Sequence, residues 1–102
     1  MMKCLIGGIG KMEIRQIALE IAQLVEKKNH DYDNSFDKTM DKYGDTAYFL
    51  RIEDKLNRLI NLSKKEAKVN DEKVEDTLKD IIGYTLLIIK YKKFAAFSSI
   101  LL

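Results

Sequence analysis

No proline interrupts the 102 residues of this chain, and glycine occurs only five times. Proline breaks helices and glycine weakens them, whereas a strand-rich fold spends both at its many tight turns. A chain this short of both is poorly equipped for a sheet and well equipped for long helices. The expectation is an all-α fold, and 102 residues is the length of a single domain with one core. A core of that size has little stability to spare, and pairing of copies is a common supplement.

The remaining composition narrows the function classes. Apolar residues make up 46% and charged residues 33%, the balance of a soluble globular protein, so a cytoplasmic location is expected. The net charge is +2 with lysines and acids interleaved, so no basic arm announces nucleic-acid binding. Cys4 has no second cysteine to pair with, and Cys4 with His30 is too few ligands for a Cys/His metal site. Gly7, Gly8 and Gly10 before Lys11 lack the spacing and the following Ser/Thr of a phosphate loop. Residues 1–10 are read as an irregular leader, too short and glycine-rich for a signal peptide. "KYKK" at 90–93 interrupts the apolar C-terminal half, so neither side reaches membrane-spanning length. The tail at 94–102 is too apolar to dangle in water; packing on a second copy or on the leader is expected, with a surface for another partner as the alternative.

Periodicity predicts the helices. Over 11–28, Ile14, Ile17, Ala18, Ile21, Leu24 and Val25 recur at three- and four-residue spacing and form one apolar stripe. The polar stretch 29–46 reads as a loop, a short helix over 35–42 and a stop at Gly44. Such a loop either covers a ligand or pins a connector to the core, and its spacing favours the connector. A second long helix starts after Asp45 or Thr46, either able to cap it, and runs to about 64 with Phe49, Ile52, Leu56, Leu59 and Ile60 as its core stripe. Glu53 lies at the edge of that stripe and is expected half-buried. Asp54 and Arg58 form an exposed one-turn pair beside Arg51. A polar connection over 63–71 leads, through Asn70 and Asp71 as caps, into a third long helix from about 71 to at least 90. Its stripe is Val74, Leu78, Ile81, Ile82, Thr85, Ile88 and Ile89.

That third helix opens with Glu75, Asp76 and Asp80 ahead of a strongly apolar run, and burying an unpaired charge is costly. At 100° per residue Asp76 and Asp80 fall within about 40° of each other. Gly83, Tyr84, Leu87 and Tyr91 continue their face, which makes a second apolar surface that meets another helix or another subunit. Carboxylates on facing helices are a recurrent way to hold divalent cations in a bundle, and all-oxygen sets suit Mg²⁺. Acidic residues also favour the first turns of any helix. The spacing permits a metal site and goes no further.

"HDYDNSF", "RIEDKLNRL" and "EDTLKDIIGYTLL", in that order, resemble the phage and bacterial family called nucleotide modification associated domain, type one, over about residues 20–92. More distantly the arrangement is similar to the all-α nucleoside triphosphate pyrophosphatases of the MazG and dimeric dUTPase kind. The resemblance implies a MazG-like bundle completed by a homodimer, a nucleotide or deoxynucleotide as ligand, and Mg²⁺ as cofactor. It implies Asp54, Asp76, Asp80 and Glu75 as metal carboxylates, with Glu53 positioning or deprotonating the attacking water. Lys55 and Arg58 would meet phosphate charge, and Asp31, Tyr32, Asn34 and Tyr84 the rest of the substrate. This chain departs from the MazG pattern: Leu56 stands where the second glutamate of the first acidic pair would fall, and the second pair is spaced at four. Activity is therefore not inherited with the fold. The leading expectation is a Mg²⁺-dependent NTP pyrophosphohydrolase of nucleotide metabolism or a degenerate nucleotide-binding relative. The alternative is a non-catalytic helical interaction or scaffold module.

Overall fold

The computed structural model describes residues 6–64 and 67–101, with side chains within 13–64 and 72–96. Four helices follow one another, α1 (Ile6–Asp31), α2 (Ser35–Tyr43), α3 (Thr46–Ser63) and α4 (Ala67–Leu101), and no strand occurs among the described residues. The all-α architecture of three long helices and one short connecting helix is as the periodicity predicts. Three boundaries differ, one of them the end of α1, which runs to Asp31 where the loop is expected from 29. α1 begins at Ile6, so part of the expected leader is helical, and residues 1–5 lie outside the described ones. α4 begins at Ala67, because nothing between Lys64 and Asp71 is a helix breaker. Asn70 and Asp71 therefore lie inside the helix instead of capping it, and their side chains, like most of the apolar tail's, fall outside the described set.

The joints are built from residues that tolerate unusual backbone. Between α1 and α2, Asp33 and Asn34 both take positive φ, 54° and 57°; apart from glycine, Asn and Asp reach that region most readily. The Asn29 amide donates to Asn34 Oδ1 at 2.6 Å, and Lys38 Nζ meets Asp33 Oδ2 at 2.7 Å. Hydrogen-bonded to that lysine, the Asp33 carboxyl is held below its ordinary value. α2 stops, as expected, at Gly44, whose φ is 68° and whose N–H donates to the Met40 carbonyl at 2.8 Å. Asp45 precedes α3 but makes no side-chain capping bond. Its carboxylate meets Lys92 Nζ at 2.9 Å.

α3 and α4 pack antiparallel, and side-chain pairs mark their register. Tyr48 Oη and Thr85 Oγ1 are 2.9 Å apart, Lys55 Nζ and Asp80 Oδ2 2.9 Å, and Arg58 Nε donates to Thr77 Oγ1 at 3.2 Å. α2 closes one end, burying Phe36 and Met40 with Ala47 against Tyr84, Leu87, Ile88 and Tyr91. α1 lies against α4 where Gly83 lets it approach: a Cβ there would stand 3.0 Å from Val25 Cγ2.

The apolar stripes do not all go inside. Ile21 is buried, but Ile14, Ile17 and Leu24 of the same stripe are exposed. On α3, Phe49, Leu56 and Ile60 are exposed while Ile52 and Leu59 are half-buried. On α4, Leu78, Ile82 and Ile89 are exposed. The face bearing Gly83, Tyr84, Leu87 and Tyr91 meets α1 and α2 of the same chain, so the second apolar surface of α4 is used within the fold. The radius of gyration is 16.9 Å, against about 12.8 Å for a compact domain of this length.

Candidate functional site

Between α1, the start of α2, α3 and α4 lies a cleft of about 280 Å³, near the lower end of ligand-pocket sizes. Its floor follows from Gly83, which keeps α4 thin where α1 crosses it. Its aromatic wall is Tyr32, Phe36 and Tyr84. Phe36 and Tyr84 are tilted by 30° with centroids 6.2 Å apart, and the Arg51 guanidinium stands 6.0 Å from the Tyr84 centroid. Lys28, Arg51 and Lys79 reach the cleft from three different helices. Asn29, Ser35 and Thr39 add neutral polar groups.

Asp80 is the one carboxylate in the lining, and it is already held by Lys55 at 2.9 Å. Lys79 is paired with Glu75 at 2.9 Å, a partnership that raises the lysine above its ordinary value. Lys28 and Arg51 thus face the cleft beside two ion pairs, Lys79–Glu75 and Lys55–Asp80, a cationic excess that favours an anionic guest. Aromatic faces beside those cations favour one that also carries a flat ring.

Of the residues singled out from sequence, Tyr32, Tyr84 and Asp80 line the cleft, with Lys55 directly behind Asp80. The others are placed elsewhere. Asp31 pairs with Lys27 at 3.6 Å, and Asn34 turns toward a separate shallow hollow with Glu26, His30 and Asp33. Arg58 serves Thr77 rather than Asp54. Asp54 and Asp76 are exposed. Glu53 is exposed rather than half-buried, because it borders the exposed Phe49–Leu56–Ile60 side of the stripe and not the half-buried Ile52–Leu59 side. Among the described residues no group of three or more His, Cys, Asp or Glu side chains is placed to hold a metal ion.

Sequence reasoning passed over Lys28, Arg51 and Lys79 as phosphate partners. A partial signal was present for two of them: Lys28 stands one turn before Tyr32 and Arg51 one turn before Lys55, so each of these two shares a face with a residue singled out.

Fold and site together define a small all-α domain with a cation-rimmed, aromatic-walled cleft. Residues 28–90 match the family model described as Nucleotide modification associated domain 1, and the chain belongs to that family. The matched stretch holds both motifs of the long helices and the whole cationic rim, with only the apolar end of the cleft on α1 lying before it. No curated protein and no solved structure gives a significant match. Among the described residues no helix is long and apolar enough to cross a membrane.

Proposed function

We propose that the cleft binds a nucleotide or deoxynucleotide, and that the chain acts in nucleotide metabolism as an NTP pyrophosphohydrolase or as a nucleotide-binding relative. One observation carries the reading: Lys28, Arg51 and Lys79 converge on the same 280 Å³ space as Tyr32, Phe36 and Tyr84. A base has two flat faces for the tyrosines, and a phosphate chain has the negative charge for the cations. The volume suits a base and sugar inside, with phosphates at the open, cationic rim. The family description, which concerns nucleotide modification, supports the same ligand class.

In the hydrolytic form, water would attack the α-phosphorus and break its bond to the bridging oxygen, leaving a nucleoside monophosphate and pyrophosphate. Mg²⁺ would enter with the nucleotide, bound to its phosphate oxygens. Arg51, Lys79 and Lys28 bind and orient phosphate oxygens. Asp80 accepts from a ligand hydroxyl or amine once Lys55 turns to phosphate.

A thermal-shift titration with each common dNTP, in Mg²⁺ and in EDTA, run beside pyrophosphate release, tests this reading. Stabilisation by a triphosphate that is lost in Arg51→Ala and Lys79→Ala supports binding, and turnover supports the enzyme. Folded protein indifferent to every nucleotide would favour the scaffold module instead.

A further inference from the structure

Most of the cleft's polar lining either donates only or is already engaged. Lys28, Arg51 and Lys79 have no acceptor atom in their side chains. Asn29 gives its amide N–H to Asn34 at 2.6 Å, and Thr39 gives its hydroxyl to the Ser35 carbonyl at 2.9 Å. Asp80 is the one group of the lining that is an acceptor only. Its Oδ2 meets Lys55 Nζ at 2.9 Å, and among the described residues no other donor reaches the carboxylate. The side chain is 38% exposed, which leaves room for a guest to meet it. A carboxylate has about four lone-pair sites, so both oxygens can still accept, with Lys55 in place or turned away.

Position says which part of a nucleotide arrives there. Asp80 and Tyr84 both line the cleft and stand one turn apart on one face of α4, about 6 Å along its axis. A base lying against the Tyr84 ring therefore brings an edge toward Asp80. The phosphates stay with Lys28 and Arg51, since a carboxylate repels them. Base edges differ in what they offer a pure acceptor. Guanine sets a ring N–H beside an exocyclic amine, two adjacent donors. Adenine and cytosine set one amine beside a ring nitrogen that carries a lone pair. Thymine and uracil set one N–H between two carbonyls. Of the common bases only guanine meets both carboxylate oxygens without turning a lone pair on them.

Resting on the nucleotide reading of the cleft, we infer that Asp80 selects guanine, accepting from its N1–H and its 2-amino group. Isothermal titration of the full chain in Mg²⁺ with dGTP, dITP, dATP, dCTP, dTTP and GTP tests it. The base of dITP is guanine without the 2-amine. Wild type should bind dGTP at least about tenfold more tightly than dITP, the worth of one hydrogen bond to a charged group. It should bind dATP, dCTP and dTTP more weakly than dGTP too, and GTP like dGTP. Asp80→Asn keeps the shape but sets an amide donor against the guanine amine, so the dGTP preference over dITP should vanish. A residue that only tied α4 to α3 would weaken every ligand alike and leave that preference in place. The wild-type comparison holds whether or not the variant folds.

The failures are distinguishable. Folded wild type that binds no nucleotide would sink the nucleotide reading and this inference with it. Nucleotide binding with dGTP and dITP equal, or a dGTP preference that survives Asp80→Asn, overturns the inference alone. So does a gap between GTP and dGTP that disappears in Asp80→Asn, which would give the carboxylate to a sugar hydroxyl instead.

Discussion

The two sides of the α3–α4 pair differ although the same two helices make them. The inner side holds the Lys55–Asp80 ion pair, the Arg58–Thr77 and Tyr48–Thr85 hydrogen bonds and Arg51 over Tyr84. The outer side is aliphatic and phenyl surface with Glu53 at its edge. Polar groups near a core are tolerated only when partnered, so the inner side commits residues to specific distances. The outer side commits them only to being covered. A paired, cation-rich wall suits a small polar guest, and an unpaired apolar wall suits a large apolar one.

The largest expected effect that separates the sides is Phe36→Ala. Phe36 is 8% exposed in the cluster that ties α2 to α3 and α4, so its loss should cost about 3–5 kcal/mol in denaturant unfolding. It should also open the aromatic wall and weaken any nucleotide-dependent stabilisation. Gly83→Leu comes next. Its side chain would drive into Val25, 3.0 Å from where even a Cβ would sit, for about 1–3 kcal/mol of overpacking. α1 should detach in hydrogen exchange before α3 and α4 do.

Thr77→Val sharpens the comparison without removing volume. Thr77 is 1% exposed, accepts from Arg58 and donates to the Lys73 carbonyl at 2.7 Å. Its loss should cost about 1 kcal/mol in the same unfolding assay. The smallest effect is a pH dependence at the far end of α4. Tyr91 Oη donates to Asp41 Oδ1 at 2.6 Å, which holds the phenol above its ordinary 10.0. With the folded value raised, the contribution is complete below pH 10.0 and fades as pH climbs through the raised value. The stability gap between wild type and Tyr91→Phe should therefore be full at pH 8 and shrink in alkaline melts.

The helices were legible because 3.6-residue periodicity and Gly44 are local signals. The carboxylates of "VEDTLKD" have an answer the sequence half-posed: lysines were waiting, Lys79 for Glu75 and Lys55 for Asp80. Which side of each helix faces inward was not legible. α4 carries apolar residues on two sides, and a wheel cannot tell the neighbour within the chain from one outside it. The same ambiguity turned the best-looking stripes, Phe49–Leu56–Ile60 and Leu78–Ile82–Ile89, outward. It also carried Glu53 away from the cleft. The cationic rim was missed because Lys28, Arg51 and Lys79 come from three helices, and only tertiary packing makes them neighbours.

The most direct measurement is an amide NMR titration of the full chain with a deoxynucleoside triphosphate. Shifts confined to Lys28, Tyr32, Ser35, Arg51, Lys79 and Tyr84, with the outer Leu56, Ile60, Leu78 and Ile82 unmoved, are what a ligand-binding inner side predicts. Shifts centred on the outer rows, or none at saturating nucleotide, would contradict that division of labour.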